Sequence, residues 1–169
     1  MSYIVIAPDG TTSYETTTPT LDQIDAIVGP SGWDRVHVHP DRRMAGWVAD
    51  CGLIDGSPRN TVGSCVLATL GAGHQPYAGP VVITGYDHDS DWGGPEPLRS
   101  RQVETLMGIV TAVEDALGDQ HETATPPPGA DRSWIYAIRE HAEWVRTSQT
   151  PKIRIVTDGD RVHDDVDTR

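Results

Sequence analysis

The chain lacks phenylalanine altogether and contains a single lysine, Lys152, among its 13 basic residues. Five tryptophans and five tyrosines therefore supply all of its aromatic bulk. Lysine and phenylalanine are encoded by AT-rich codons, so their scarcity indicates a high-GC genome. No segment approaches the roughly 20 apolar residues that a membrane-spanning helix requires, and the amino terminus has neither the basic flank nor the apolar run of a signal peptide. We therefore expect a cytoplasmic protein without a membrane partner.

The chain is also poor in positive charge, with 13 basic against 25 acidic residues and a formal net charge of −12. A surface of this average sign repels phosphates, which argues against direct binding to nucleic acid. It permits a basic protein partner, and it leaves open that the protein imitates DNA. The two cysteines, Cys51 and Cys65, lack the C-x-x-C spacing of metal and redox motifs, so we expect free thiols in a reducing compartment.

The first half of the chain reads mainly as short strands. The run YIVIAP, the turn Asp9-Gly10 and the stretch TTSYETTT predict a β-hairpin over residues 3–18. A short helix follows in PTLDQIDAIVG, with Thr20 as N-cap and Gly29 as its stop. WDRVHVHP and MAGWVADCGL predict two paired strands, and PVVITGY predicts a buried one. Residues 53–71 are ambiguous between loop and short helix.

The second half is helical. Between residues 97 and 118 the apolar side chains recur at spacings of three and four, which predicts an amphipathic helix of about five turns. Three successive prolines, at 126–128, exclude helix in the connector. A second helix is predicted over residues 132–147, and its polar face carries Arg139 and Glu143, which are four apart and able to pair. KIRIVT is a candidate last strand before an acidic tail.

These elements predict an α+β fold, in which a small, mostly antiparallel sheet with a short helix is followed by two amphipathic helices. We divide the chain into an α+β domain at 1–95, a two-helix extension at 96–148 and a strand with the acidic tail at 149–169. The extension packs on the first domain or on a partner, and homo-oligomerisation stays open.

Residues 3–86 resemble a small domain of unknown function that is common in phages, plasmids and Gram-positive bacteria. The resemblance is carried by YIVIAPDG, TLDQIDAIVGPSGWDRV and YAGPVVITGYD, and by GLIDGSPRN, which is similar to that family's leucine-glycine-leucine-proline-asparagine signature. Pro30 and Ser57 depart from the family pattern. The resemblance implies an accessory protein of an actinobacteriophage or its host, and it supplies no catalytic residues.

The loop YDHDSDWGG places Asp87, Asp89 and Asp91 at alternate positions, as the first half of a calcium-binding EF-hand loop does. Trp92 stands where that motif needs its glycine, and Leu98 stands where it needs its glutamate. We therefore interpret the loop as a polar turn and keep it as a candidate divalent-metal site. We expect no other cofactor, because the glycines at 71–73 lack the ending of a phosphate-binding loop.

The histidines give further candidates without a complete set. His37 and His39 fall on one face of a strand, a geometry that suits zinc, nickel or copper, but we expect a solvent-facing edge since no third ligand follows at a recognisable spacing. His141 is expected to be a packed or rim histidine rather than a catalytic base. Cys65 lies among apolar residues with His74 nearby in sequence, and we expect it in the core.

Trp92 and Trp144 are the candidate interaction residues, because tryptophans dominate binding hot spots. The leading functional hypothesis is a non-enzymatic accessory protein of a phage or mobile element that binds a host protein, in defence or in cell-cycle control. The alternatives are a small divalent-metal-dependent enzyme using the aspartate loop and an acidic DNA-mimic antirestriction protein. The last would use the helical acids Glu104, Glu114 and Asp115.

Overall fold

A computed structural model describes residues 3–29, 31–87 and 93–149 of the chain. The described residues contain six strands: β1 (Tyr3–Ile6), β2 (Thr12–Glu15), β3 (Trp33–His37), β4 (Met44–Ala49), β5 (Val81–Tyr86) and β6 (Pro95–Glu96). They form one antiparallel sheet of order β2-β1-β5-β4-β3, with β6 paired to β5. The predicted hairpin and the predicted pairing of the third and fourth strands are confirmed. β5 is buried along its whole length, as its apolar run predicts.

Four helices complete the α+β fold. They are α1 (Leu21–Val28), α2 (Thr61–Thr69), α3 (Ser100–Leu117) and α4 (Ser133–Thr147), with short 3-10 turns at Pro40–Arg42 and His121–Thr123. No helix in the part of the chain that the structure describes is both long and apolar enough to cross a membrane.

Helix α1 begins and ends where the sequence predicts. The Thr20 hydroxyl accepts a hydrogen bond from the Gln23 amide at 3.2 Å, while the Gln23 side chain accepts one from the Thr20 amide at 3.0 Å. This reciprocal pair is a capping box. Gly29 follows with φ of 114°, a backbone conformation that favours glycine, and it stops the helix.

The sheet is covered on both faces, because its side chains alternate in direction along each strand. On one face α1 packs Ile24 and Val28 into a cluster that contains Trp47 and Val82. On the other face, Ile4, Ile6 and Ile83 join the apolar residues of α2, α3 and α4 in one larger cluster. The two late helices contact each other, and both contact α2. Their predicted apolar stripes are therefore buried in the same core as the sheet.

Helix α2, which the sequence left ambiguous, depends on a fully buried side chain. Asn60 is 0% exposed, and its side-chain oxygen Oδ1 accepts a hydrogen bond from the Gly63 backbone amide at 2.8 Å. Its side-chain nitrogen Nδ2 donates to the backbone carbonyls of Ile6 at 2.8 Å and of Gly79 at 3.0 Å. Asn60 thereby caps α2 and ties it to the end of β1 and to the loop before β5.

Arg139 and Glu143, which are able to pair by spacing, have other partners in the structure. The Arg139 guanidinium instead donates to the carbonyl oxygens of Ala116 at 2.8 Å and of Gly118 at 3.4 Å, at the end of α3. Glu143 lies 3.8 Å from Arg146. Unpaired carbonyls at a helix end are strong acceptors, so the long arginine side chain crosses to the neighbouring helix.

Candidate functional site

Three neighbouring cavities surround the outer side of α4. The largest, about 640 Å³, lies between α3, α4 and the proline-rich connector, with apolar walls that include Trp134 and Pro127. Its ionisable side chains are of mixed sign, namely Arg42, His74 and Glu104. This groove has the size and the apolar character of a ligand site, without charge of one sign to select a ligand.

A second cavity, of about 420 Å³, lies between the end of β4, the loop after it and the end of α4. Two large apolar side chains stand on its wall with much of their surface in solvent: Ile54 is 50% exposed and Trp144 is 42% exposed. The charged side chains that line it, Asp34 and Asp50, are both acidic. This cavity combines exposed apolar surface with charge of one sign, and we call it the Trp144 face.

Arg59 is a basic side chain next to the Trp144 face. Its guanidinium donates to the carbonyl oxygen of Ser148 at 2.6 Å, where α4 has just ended. Arg59 is not among the residues that line the cavity. The charged side chains that line the face are therefore acidic, and the Arg59 guanidinium lies at its edge, bonded to the backbone of the lining residue Ser148.

A pair of histidines lies beside Trp144. His141 is only 5% exposed, and its Nδ1 atom lies 3.3 Å from Nδ1 of His74, which belongs to the loop after α2. The His141 and Trp144 rings, three residues apart on α4, have centroids 5.6 Å apart. Both histidines and Trp144 line a third cavity of about 300 Å³ together with Glu140.

His141 is buried without full hydrogen bonding. Its Nε2 atom is buried and has no hydrogen-bond partner among the described residues. Burial, and secondly the neighbouring His74, lower the pKa of His141 below its ordinary value. A hydrogen bond with the Ser64 backbone opposes this shift, and the net effect favours the neutral imidazole.

Comparison with known families decides the classification. The profile of a family described as Domain of unknown function (DUF3846) matches residues 1–110. The chain belongs to this family. The predicted resemblance over residues 3–86 is thus confirmed, and the family extends further, into α3. No curated protein and no solved structure matches the chain.

Within this DUF3846 member, the signature segment GLIDGSPRN ends on Asn60, the buried cap of α2. Gly63 is equally constrained, because a Cβ atom there would lie 2.7 Å from the Asn60 side-chain oxygen and 2.7 Å from a methyl group of Val81. The motif that carried the resemblance therefore has two parts: its Asn60 end ties α2 to the sheet, and its Leu53 and Ile54 line the Trp144 face.

The structure describes some of the predicted interaction and metal residues and not others. Trp144 is among the described residues and is 42% exposed. Trp92, Asp89 and Asp91 lie outside the described residues, so the aspartate loop stays a prediction. Asp87 lies directly after β5. Over residues 3–29, 31–87 and 93–149, no group of three or more histidine, cysteine or acidic side chains is placed to hold a metal ion.

The segment that contains this loop is tied at both of its described ends. The Arg35 guanidinium donates to the phenol oxygen of Tyr86, just before Asp87, and to the carbonyl oxygen of Gly93 at 3.3 Å. Its central carbon also lies 4.7 Å from the centroid of the Tyr86 ring, a cation–π contact. One arginine on β3 thus fixes where the chain leaves β5 and where it returns.

The remaining candidates take structural positions. His37 and His39 are solvent-exposed on β3 and just beyond it, and Nδ1 of His39 lies 3.5 Å from the Asp41 carboxylate. Cys65 is buried in the core, and burial raises the pKa of its thiol to about 12, so it is no nucleophile at neutral pH.

The helical acids of the DNA-mimic hypothesis are distributed over two places on α3. Glu104 lines the groove of about 640 Å³. Glu114 and Asp115 line a different cavity at the far end of the helix. Burial, and secondly Asp115, raise the pKa of Glu114. This arrangement gives no particular support to phosphate mimicry.

The sequence did not predict the association of His74 with His141. These residues are 67 positions apart, so no spacing motif joins them. The available signal was a histidine on the apolar face of α4, which sequence reasoning assigned to a packed or rim position.

Proposed function

We propose that this protein acts non-enzymatically, by binding a host protein through the Trp144 face. The observation that carries the proposal is the pairing of exposed Trp144 and Ile54 with an acidic lining in one cavity. Exposed apolar surface bordered by charge is typical of protein interaction sites, and partially exposed tryptophan is the residue most enriched at binding hot spots.

The acidic lining identifies the kind of partner. Asp34 and Asp50 favour a segment that carries arginine or lysine next to an apolar or aromatic side chain, because complementary charges speed association and select the partner. A second copy of this chain is a poorer occupant, since each copy has a net charge of −12 and the two would repel.

The proposed setting is the cytoplasm of a high-GC bacterial host, with the gene carried by a phage or another mobile element. The scarcity of lysine and phenylalanine supports the high-GC source. The net negative charge supports a protein partner over a nucleic acid.

Affinity capture from an actinobacterial lysate tests the proposal when three baits are compared. The tagged full-length chain should retain one stoichiometric partner through a salt wash, identified by mass spectrometry. Trp144→Ala should lose that partner, because truncation of a hot-spot residue costs about 2 kcal/mol or more, roughly 30-fold in Kd.

Tyr136→Ala is the matched control. Tyr136 is on the same helix and is 67% exposed, but it is not among the residues lining the Trp144 face. It should retain the partner. Equal capture by the wild-type and Trp144→Ala baits, with both variants melting as folded proteins, would overturn the proposal.

A further inference from the structure

The two histidines beside Trp144 have the geometry of metal ligands. Their Nδ1 atoms are 3.3 Å apart, and the ring planes are inclined by 78°. Imidazole nitrogens lie about 2.0–2.1 Å from a tetrahedral zinc ion, which places two neighbouring ligands about 3.3–3.4 Å from each other. At this separation one imidazole N–H can donate to the nitrogen of the other ring, and the same separation matches the one that a bound ion would impose.

The pair also combines a buried ligand with an exposed one. His141 is 5% exposed and lies on the buried face of α4, which packs on α2. His74 is exposed in the loop after α2. The cavity of about 300 Å³ that both residues line leaves room for water at the other coordination positions.

We propose that His74 and His141 together bind one divalent transition-metal ion through their Nδ1 atoms. Two imidazoles suit zinc, copper and nickel rather than calcium or magnesium. No third histidine, cysteine or acidic ligand converges with them among the described residues, so water completes the coordination and the site is open and exchangeable. This site is distinct from the aspartate loop and independent of whether the Trp144 face binds a protein.

Metal titration of the full chain after EDTA treatment and buffer exchange tests the site. Isothermal calorimetry with Zn²⁺ should show one equivalent bound to the wild type. His74→Gln should weaken that binding by about tenfold or more, since loss of even an outer-shell partner costs about 10–100-fold. His74 is exposed, so this variant is expected to fold normally.

The double variant His37→Gln/His39→Gln is the matched control, because it removes the other close pair of histidines from an exposed strand. It should bind Zn²⁺ as the wild type does. Binding that survives His74→Gln, or that is lost in the double control, would overturn the proposal, and so would the absence of measurable binding to the wild type.

A second readout locates the ion without relying on affinity. Cu²⁺ bound at His141 should quench the fluorescence of Trp144, whose ring centroid lies 5.6 Å from that of His141. The quenching amplitude should fall in Trp144→Phe and in His141→Gln. An unchanged amplitude in both variants would place the copper elsewhere and contradict the assignment.

Discussion

Two buried polar side chains, Asn60 and His141, show opposite designs. Asn60 is 0% exposed, and both of its polar atoms are hydrogen-bonded to backbone groups. His141 is 5% exposed, yet one ring nitrogen has no partner among the described residues and the other faces a second histidine. Buried polar groups are normally satisfied. Asn60 therefore serves the fold, whereas His141 is the less completely bonded of the two buried side chains.

The largest loss of stability is expected when Asn60, whose polar side-chain atoms are both hydrogen-bonded, is replaced. Asn60→Ala leaves three buried backbone groups without partners, which should cost about 3–5 kcal/mol because each unsatisfied group costs about 1–3 kcal/mol. Chemical denaturation measures the loss. Thr20→Ala removes the exposed cap of α1 and should cost only about 1 kcal/mol. A similar small loss in both variants would contradict the assigned role of Asn60.

A smaller effect is expected on α4 itself. Arg139→Met keeps the apolar stem and removes the hydrogen bonds to the end of α3, which should cost about 1–2 kcal/mol. Hydrogen exchange should show faster opening of the last turn of α3. Unchanged exchange there would show that water replaces the guanidinium without loss. Arg139 and His141 lie two positions apart on one helix, so substitutions at the two positions compare a bonded and an incompletely bonded side chain in the same element.

The smallest effect at neutral pH is expected at His141. His141→Leu replaces an incompletely bonded ring by an apolar side chain of similar size and should change the stability by less than about 1 kcal/mol at pH 7.5. A loss as large as that of Asn60→Ala would mean that His141 is as structural as Asn60. Thermal melts with EDTA present make the comparison.

Acid should lower the stability of the wild type more than that of His141→Leu. The pKa of His141 is lowered in the folded chain by burial and by His74, so the unfolded chain takes up the proton first as the pH falls through about 6.5. Stability present above that pH is lost below it. The ionisable groups that share its cavity are His74 and Glu140. Wild type should lose more stability than His141→Leu between pH 7.5 and 5.5; equal losses would contradict the shift.

The fold was largely readable from the sequence where local signals agree. β5 is an uninterrupted apolar run, α1 has both cap residues, and α3 repeats its apolar positions every three or four residues. Helix α2 was not readable because its start depends on Asn60, whose partners Ile6 and Gly79 are 54 and 19 positions away. Hydrogen bonds between residues far apart in the sequence produce no periodic pattern from which a helix can be predicted.

The site was readable only in part. Trp144 was recognised as an interaction residue by type, but its cavity joins segments from β3, β4 and α4 that no local pattern connects. His141 was assigned to a packed or rim position because it shares the apolar face of α4. Its partner His74 lies on a loop, and tertiary packing alone brings the two rings together. The spacing of Arg139 and Glu143 indicated only that they could pair, and the partners of Arg139 at the end of α3 are not visible from the sequence of α4.

The claim that the Trp144 face binds a basic segment is tested most directly by panning a random twelve-residue peptide library, displayed on phage, against the wild-type chain. We predict enriched peptides that combine arginine or lysine with aromatic or aliphatic residues, that bind Tyr136→Ala as tightly as wild type, and that bind Trp144→Ala about 30-fold more weakly. Peptides without basic residues, or peptides that bind Trp144→Ala as tightly as wild type, would contradict the claim that the Trp144 face is the binding surface.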